Sequence, residues 1–324
     1  MTTTIHPVPR CDPEIRLSDR LRRFLNAYWL RPENAFWMAL RSDALARVGF
    51  TSPSIDLCCG DGCFGFIHAG GVFEDAFDVF QSVGRLDQVR PAGADMFDHV
   101  DSAYKPKVAA PPPWRIDVGC DLKPALLSKA SCLDFYGRTL LHDCNLTLPL
   151  EDRSFSTVYC NAAYWITEID SFLGELRRIT APGGRIVLHV KLDSIRECTL
   201  ERHRSLLGDR FLEIIGRGRL DCWPTLTDRA TWEGRFDAAG LQIESATPFI
   251  TPTHARIWDI GLRPIAPLLV KMTSSLSEEN RLAIKREWVD LFVDLLTPIC
   301  DPTFDLTGAS AEPVEIQYVL KPFP

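Results

Sequence analysis

The sequence predicts an α/β fold in which a mainly parallel sheet is covered by helices on both faces. Three observations predict it. First, short, almost continuously apolar, β-prone runs recur at residues 54–58 (SIDLC), 115–119 (RIDVG), 139–142 (TLLH), 156–160 (STVYC) and 185–190 (RIVLHV). Strands buried on both faces of a sheet read this way. Second, stretches with helical spacing at 124–135 and 169–179 lie between those runs, and strand–helix alternation implies parallel pairing. Third, the first run ends at Gly60 and Gly62, the punctuation expected of a strand, a tight turn and a helix.

The flanking elements follow from the same periods. Residues 17–49 hold two helix-like runs split at Arg31 and Pro32, with Leu21, Phe24, Leu25 and Tyr28 on one face and Phe36, Trp37, Leu40, Ala44 and Val48 on the next. Pro32 stands where a second helix would start. Pro182-Gly183-Gly184 predicts a sharp turn into the fifth strand. A helix is expected over 228–239, stopped by Gly240, then strands at 241–247 and 314–320 (VEIQYVL).

Two regions exceed a minimal domain. Residues 66–113 form an acidic, aromatic insert that ends in a proline run, and nothing in Phe77, Phe80 or Phe97 tells whether it meets substrate or a partner chain. Residues 250–313 carry the apolar run 257–272 and a predicted amphipathic helix over 277–296. Ser277 caps that helix, Glu278 and Glu279 open it, and Leu282, Trp288, Leu291, Phe292 and Leu295 are expected to gather on one side. The predicted organisation is an N-terminal helical cap at 1–50, a core at 51–249 with its insert at 66–113, and a helical excursion at 250–324 whose last strand completes the same domain.

Composition narrows the function classes. With 324 residues, 46% of them apolar and 24% charged, the chain is globular. A net charge of −7 argues against nucleic acid or an anionic membrane as the main partner. The 11 cysteines are odd in number and several sit in strand-like runs, the usage of a reducing compartment. Residues 1–10 are polar and lack an apolar core, so a cytoplasmic protein is expected. Asp259, Arg263, Pro264, Pro267 and Lys271 interrupt 257–272, which therefore reads as a lid rather than a membrane span or surface helix. Cys59, Cys63 and His68 match no zinc spacing, and no metal is expected.

The sharpest motif is Asp56-Leu57-Cys58-Cys59-Gly60-Asp61-Gly62-Cys63-Phe64-Gly65. Its glycines let backbone N–H groups approach a ligand at a helix N-terminus. Read literally, Gly60, Gly62 and Gly65 satisfy the dinucleotide pattern GxGxxG, whose ribose-binding acid lies about 20 residues on. Here the acid ending the second strand, Asp121, lies 61 residues after Gly60, a gap that an insertion accounts for. A nicotinamide-dependent oxidoreductase thus stays open from the loop alone, as does an inert cofactor-binding scaffold.

The ordered series SIDLCCGDG, DVGCDLKP, LLHDCNLTLPLEDRSFSTVYCNAAYWI and ELRRITAPGGRIVLHV resembles class I S-adenosylmethionine-dependent methyltransferases. The resemblance covers about residues 54–190 and implies a Rossmann-like, seven-stranded sheet, mostly parallel, with an antiparallel last strand. It also implies S-adenosyl-L-methionine as cofactor. By the family's pattern, Asp56, Gly60, Asp61 and Gly62 hold the methionine end, and Asp121, with Leu122 beside it, meets the ribose hydroxyls. Asp143 then takes the adenine amine next to the Cys144 backbone, and Asn161 faces the methyl donor. One departure is plain: Cys58 stands where the pattern has its first glycine. Segments before and after the motifs are similar to a bacterial group associated with surface-glycan biosynthesis, which implies a small or sugar-containing acceptor.

Methyl transfer from a sulfonium needs alignment and exclusion of water more than activation. A hydroxyl acceptor also benefits from a base. His189, closing the fifth strand beside Lys191, is the first candidate base, and Tyr164, with Trp165 and Glu168 near it, is expected to line the acceptor pocket. His254 would reach the site only from a lid, and His68 is expected to be structural. Tyr28, Trp29, Arg31 and Trp37 are candidates to close the pocket or to be core. The expected partners are a small-molecule or glycan-type acceptor, with no nucleic acid and no integral membrane segment; a homo-oligomer is left open.

Overall fold

The computed structural model describes residues 15–80, 99–216, 223–301, 303–306 and 312–323. The polar start at 1–10 and the part of the insert that includes Phe97 lie outside the described residues. Among the described residues nine strands form: β1 (Ser54–Leu57), β2 (Val72–Phe73), β3 (Val108–Ala110), β4 (Ile116–Asp121), β5 (Tyr136–Leu141), β6 (Phe155–Cys160), β7 (Thr180–Lys191), β8 (Leu241–Ile250) and β9 (Glu315–Pro322). Seven make one sheet in the order β5-β4-β1-β6-β7-β9-β8, while β2 and β3 pair separately in the insert. Strands β5 through β7 run parallel, and β9 lies antiparallel between β7 and β8. This is the predicted sheet.

The chain leaves β1 toward β4 on one side and returns to β6 on the other. That reversal opens a crevice beyond the carboxyl ends of β1 and β6, where ligands of open α/β sheets bind. Helices cover both faces. Under one lie α1 (Leu17–Tyr28), α2 (Pro32–Leu45), α3 (Cys63–His68) and α4 (Pro124–Cys132); under the other lie α5 (Ile169–Ile179) and α8 (Arg229–Ala238). Alternate sheet residues feed the two cores: Tyr159 and Val187 face the first, Val158, Ile186 and Leu188 the second. Between β7 and α8 the chain forms α6 (Arg204–Leu207) and α7 (Asp209–Gly216). After β8 come α9 (Pro252–Arg256), α10 (Ala266–Thr273) and α11 (Glu278–Leu296).

Three local expectations are corrected. β5 begins at Tyr136 rather than Thr139, because α4 ends at Cys132 and Asp134 turns the chain with φ 49°. Pro182-Gly183-Gly184 does not precede the fifth strand but bulges within it. Pairing jumps from Phe155–Thr180 to Thr157–Arg185, and Gly183 takes φ 76°. On α11, the buried side is Lys285, Val289, Phe292, Val293 and Leu296; Leu291 and Leu295 point outward. The reason is polar: Lys285 is drawn inward by the carbonyls of Asp75 and Phe77, each 2.6 Å from Nζ.

Two helix starts fall where expected. Pro32 is at the start of α2, and Ser277 caps α11 by accepting from Asn280 N–H at 3.3 Å. The run 257–272 is broken into a π-helical turn (Ile257–Leu262), a 3₁₀ turn (Arg263–Ile265) and α10. Among the described residues no helix is long and apolar enough to cross a membrane. In the insert, Phe73 stacks on Phe77 at 3.9 Å, and Asp78 accepts from Trp29 Nε1 (2.7 Å) and Arg281 Nη2 (2.5 Å). Trp29 is therefore core, and it anchors the insert.

Tyr136 sets how closely β4 and β5 pack. A Cβ on Gly119 would lie 2.8 Å from its ring, closer than non-bonded carbons approach. Gly119→Ala is expected to lower stability by about 1–3 kcal/mol in urea unfolding. Unchanged stability would mean that the ring yields freely.

Candidate active site

The glycine loop starts where β1 ends. Cys59 N–H donates to Cys120 O at 2.9 Å, extending the β1–β4 ladder by one bond. Cys58 takes φ 60°, so the backbone is left-handed where the pattern would place glycine. A non-glycine residue there costs on the order of 1–2 kcal/mol. Its thiol turns onto those of Cys144 and Cys160, joining the core that β4 and β6 line. Gly60 (φ 61°) and Gly62 (φ 76°) complete the turn. A Cβ on Gly62 would meet Tyr136, Ala130 and Leu133 at 3.1–3.2 Å, whereas one on Gly60 would meet nothing within 4 Å. The backbone at Gly60 thus borders open space.

The carboxylate of Asp121 ties the loop to β4. Its Oδ2 accepts from Gly60 N–H and its Oδ1 from Lys123 N–H, both at 2.9 Å. One lone pair remains on each oxygen for a further donor. Burial raises its pKa, and the two backbone donors oppose that rise. Asp61 Oδ1 accepts from Cys63 N–H at 3.0 Å and so starts α3; burial raises its pKa too. Tyr28 of α1 lies against Cys63 and Asp61, so that aromatic of the N-terminal segment does reach the loop.

Asp56 is 1% exposed. Oδ2 accepts from Tyr136 Oη at 2.7 Å, while Oδ1 is buried with no donor among the described residues. Burial lifts its pKa to about 7, Tyr136 pulls it down, and nearby Asp121 adds to the rise. A buried acceptor without a partner is costly, and it suits a cationic ligand.

Beyond β5, Asp143 Oδ1 accepts from both the backbone and side-chain nitrogens of Asn145 at 2.9 Å. Asn145 Oδ1 in turn accepts from Thr167 N–H (2.8 Å), Thr167 Oγ1 (2.8 Å) and Glu168 N–H (3.1 Å). One side chain therefore fastens the loop after β5 to the loop after β6. Cys144 is buried, Leu122 is 57% exposed and Asn161 is half-buried at the end of β6. The structure thus brings Asp56, Gly60, Asp61, Gly62, Asp121, Leu122, Asp143, Cys144 and Asn161 to neighbouring strand ends. The metal set of Cys59, Cys63 and His68 is not assembled: no group fit for a metal ion occurs among the described residues.

The other half of the crevice is aromatic. Lys191 Nζ, at the end of β7, lies 4.0 Å from the Trp37 ring centre, 4.6 Å from Tyr164 and 5.6 Å from Trp223. Trp223 meets Tyr164 edge-on at 5.4 Å and stacks on Trp258 at 6.4 Å. Glu315, the first residue of β9, pairs with Lys191 and Arg41 and accepts from Trp37 Nε1 at 2.7 Å. Burial alone would raise the Glu315 pKa, but Arg41 and Lys191 outweigh it and hold it at about 2. Trp223 is 5% exposed, yet its Nε1–H has no partner among the described residues.

His189 lies on the same face of β7 as Lys191, but both of its ring nitrogens are engaged within the core. It is fully buried, with Nε2 2.8 Å from Gln317 Oε1 and Nδ1 3.4 Å from Tyr159 Oη. Burial first, then Arg41, pushes its pKa down to about 3. Such an imidazole is a weak proton acceptor at neutral pH, so the base role expected of it has no support in this geometry. His254 is spent in the capping box of α9 and on Ile299 O at 2.9 Å. His68 bonds Ser42 Oγ at 2.9 Å as a core residue. Tyr136, Asn145, Trp223, Arg41 and Glu315 were missed by sequence reasoning. Only Asn145 carried a local signal, the Asp-x-Asn turn pattern.

Residues 114–188 match the family model described as a methyltransferase domain. That segment runs from β4 into β7 and includes Asp121, Asp143 and Asn161. No curated protein matches the chain. Among solved structures, a Thermotoga maritima protein described as a SAM-dependent methyltransferase and possible histamine N-methyltransferase is 13% identical, with TM-score 0.45 over 94% of this chain and 99% of that one. The geranyl diphosphate C-methyltransferase of Streptomyces coelicolor is 12% identical, with TM-score 0.41 over 90% and 82%. The [4+2]-cyclase SpnF is 13% identical, with TM-score 0.45 over 88% and 82%. Strands β4 to β7 thus carry a methyltransferase domain, for which S-adenosylmethionine is the cofactor.

Asp121→Ala removes the acceptor of both backbone donors. It is expected to weaken S-adenosylhomocysteine binding by about 1–3 kcal/mol in equilibrium dialysis. An unchanged affinity would take Asp121 out of the cofactor site.

Proposed function

We propose that the enzyme methylates a hydroxyl oxygen of a small, ring-bearing acceptor, sugar-containing or otherwise, seated against Trp37, Tyr164, Trp223 and Trp258. The observation that carries this reading is the N–H of Trp223, without a partner among the described residues, in an aromatic cluster near the ends of β6 and β7. Indole faces stack on the C–H face of a sugar or on a planar ring, and a buried N–H without an acceptor suits a ligand oxygen.

In this reading Asp56, Gly60, Asp61 and Gly62 take the methionine end of the cofactor. Asp121, with Leu122 beside it, takes the ribose hydroxyls. Asp143 and the Cys144 backbone take adenine. S-adenosylmethionine supplies a methyl group already activated by its sulfonium. The protein's own work is alignment and exclusion of water. Asn161 and Tyr164 border the line between donor and acceptor from the loop after β6. Burial raises the Tyr164 pKa, although Arg41 opposes the rise; its hydroxyl therefore stays protonated and orients the acceptor rather than taking its proton. His189 stays neutral and is held by Gln317 and Tyr159.

Transfer from tritiated S-adenosylmethionine to a panel of saccharides, phenols and amines tests this reading. Label is expected in hydroxyl compounds; label confined to amines would contradict it. Trp223→Phe keeps the ring and removes the donor, so KM for the acceptor should rise by about 3–10-fold with kcat nearly unchanged. A fall in kcat at constant KM would place Trp223 outside acceptor binding.

A further inference from the structure

The loop motif accounts for Asp56 as a cofactor residue but not for the tyrosine beneath it. Tyr136, the first residue of β5, is wedged among three glycines of the site. Its ring would be 3.1 Å from a Cβ on Gly62 and 2.8 Å from one on Gly119, and its hydroxyl 3.2 Å from one on Gly65. A ring packed against bare backbone has little room to swing. Its hydroxyl is therefore held where it donates to Asp56 Oδ2 at 2.7 Å, leaving Oδ1 buried with no partner.

We propose that Tyr136 is a positioning residue for cofactor binding: it pins one Asp56 oxygen so that the orphan oxygen receives the ammonium group of the cofactor, with release of the Asp56 proton to solvent. The proposal rests on the cofactor placement given above. Asp56 has the surroundings of a proton-linked group. Burial disfavours its charge, Asp121 across the β1–β4 pair disfavours it further, and only the Tyr136 donor favours it, so that its pKa is about 7. The other titratable groups facing it are the Cys59 thiol from the loop and the Tyr159 hydroxyl from β6, both raised chiefly by burial and neutral at pH 7. Near neutral pH the free protein is thus divided between protonated and ionised Asp56. A bound ammonium favours the ionised form and shifts the whole population to it.

Calorimetric titration of the full chain with S-adenosylhomocysteine, in phosphate and in Tris at each pH from 6 to 8.5, counts the protons released on binding. That ligand keeps the ammonium and lacks the sulfonium, so it isolates this contact. Release is expected to fall from about 0.9 proton at pH 6 to about 0.1 at pH 8, the titration curve of one group centred near 7. Asp56→Asn should bind more weakly and release nothing across that range, which separates Asp56 from Asp121 and Asp61, the two other site carboxyls whose pKa is raised. Tyr136→Phe removes the one interaction that favours the charge, so its release profile should move upward by about one pH unit. A merely structural tyrosine would lower affinity or stability and leave the profile in place. Binding with the same heat in both buffers at every pH would overturn the proposal while leaving the cofactor site intact. Release that persists in Asp56→Asn would also overturn it, as would a Tyr136→Phe profile that does not move. No binding heat at all would fail the cofactor placement itself, and the proposal with it.

Discussion

One carboxylate couples the two strands on which the rest of the site depends. Asp121 closes β4 and accepts the N–H of Gly60 from the loop after β1, together with the N–H of Lys123 that leads into α4. Charge-assisted bonds to backbone donors are the stronger kind, and these two set the height of the glycine loop above the sheet. Only then does the left-handed turn through Gly60 and Gly62 leave open space in front of Gly60 while Tyr136 fills the space behind Gly62. The sheet order, which reverses beside β1, places this junction at the mouth of the crevice.

The two halves of that crevice differ in charge and in material. Asp56, Asp61, Asp121 and Asp143 stand on the side of β1, β4 and β5, and suit a cationic nucleoside. On the side of β7 and β9 the polar centre is the buried triad of Arg41, Glu315 and Lys191, walled by Trp37, Tyr164 and Trp223. Burying such a triad is expensive, and removing one member typically costs about 3–5 kcal/mol. Its effect here is geometric, because it locks α2, β7 and β9 together at the edge where an acceptor would enter. The N-terminal helices are thereby fastened to the sheet.

The parallel sheet and the carboxylates at the strand ends were legible in the sequence because they depend on local period and on an ordered series of motifs. Asp56 lies within a run whose apolar pattern marks a strand, and Gly60, Asp121 and Asp143 each follow one. What was not legible depends on partners distant in the chain. Tyr136 matters through Asp56, eighty positions away, and Glu315 through Arg41, farther still. Trp223 follows no periodic element. His189 looked poised as a base because it ends a strand; its neighbours Gln317 and Tyr159, which make it a core residue, belong to other strands. On α11 the helical period was read correctly and the buried side was not, since Lys285 turns inward to carbonyls of the insert that no hydrophobic pattern announces.

The most direct measurement is a crystal structure of the protein grown with S-adenosylhomocysteine. The account predicts its ribose hydroxyls on Asp121, its adenine amine on Asp143 and its sulfur facing Asn161 across the ends of β1 and β6. Nucleoside density elsewhere on the sheet, or a ligand at these strand ends that leaves Asp121 and Asp143 untouched, would contradict it.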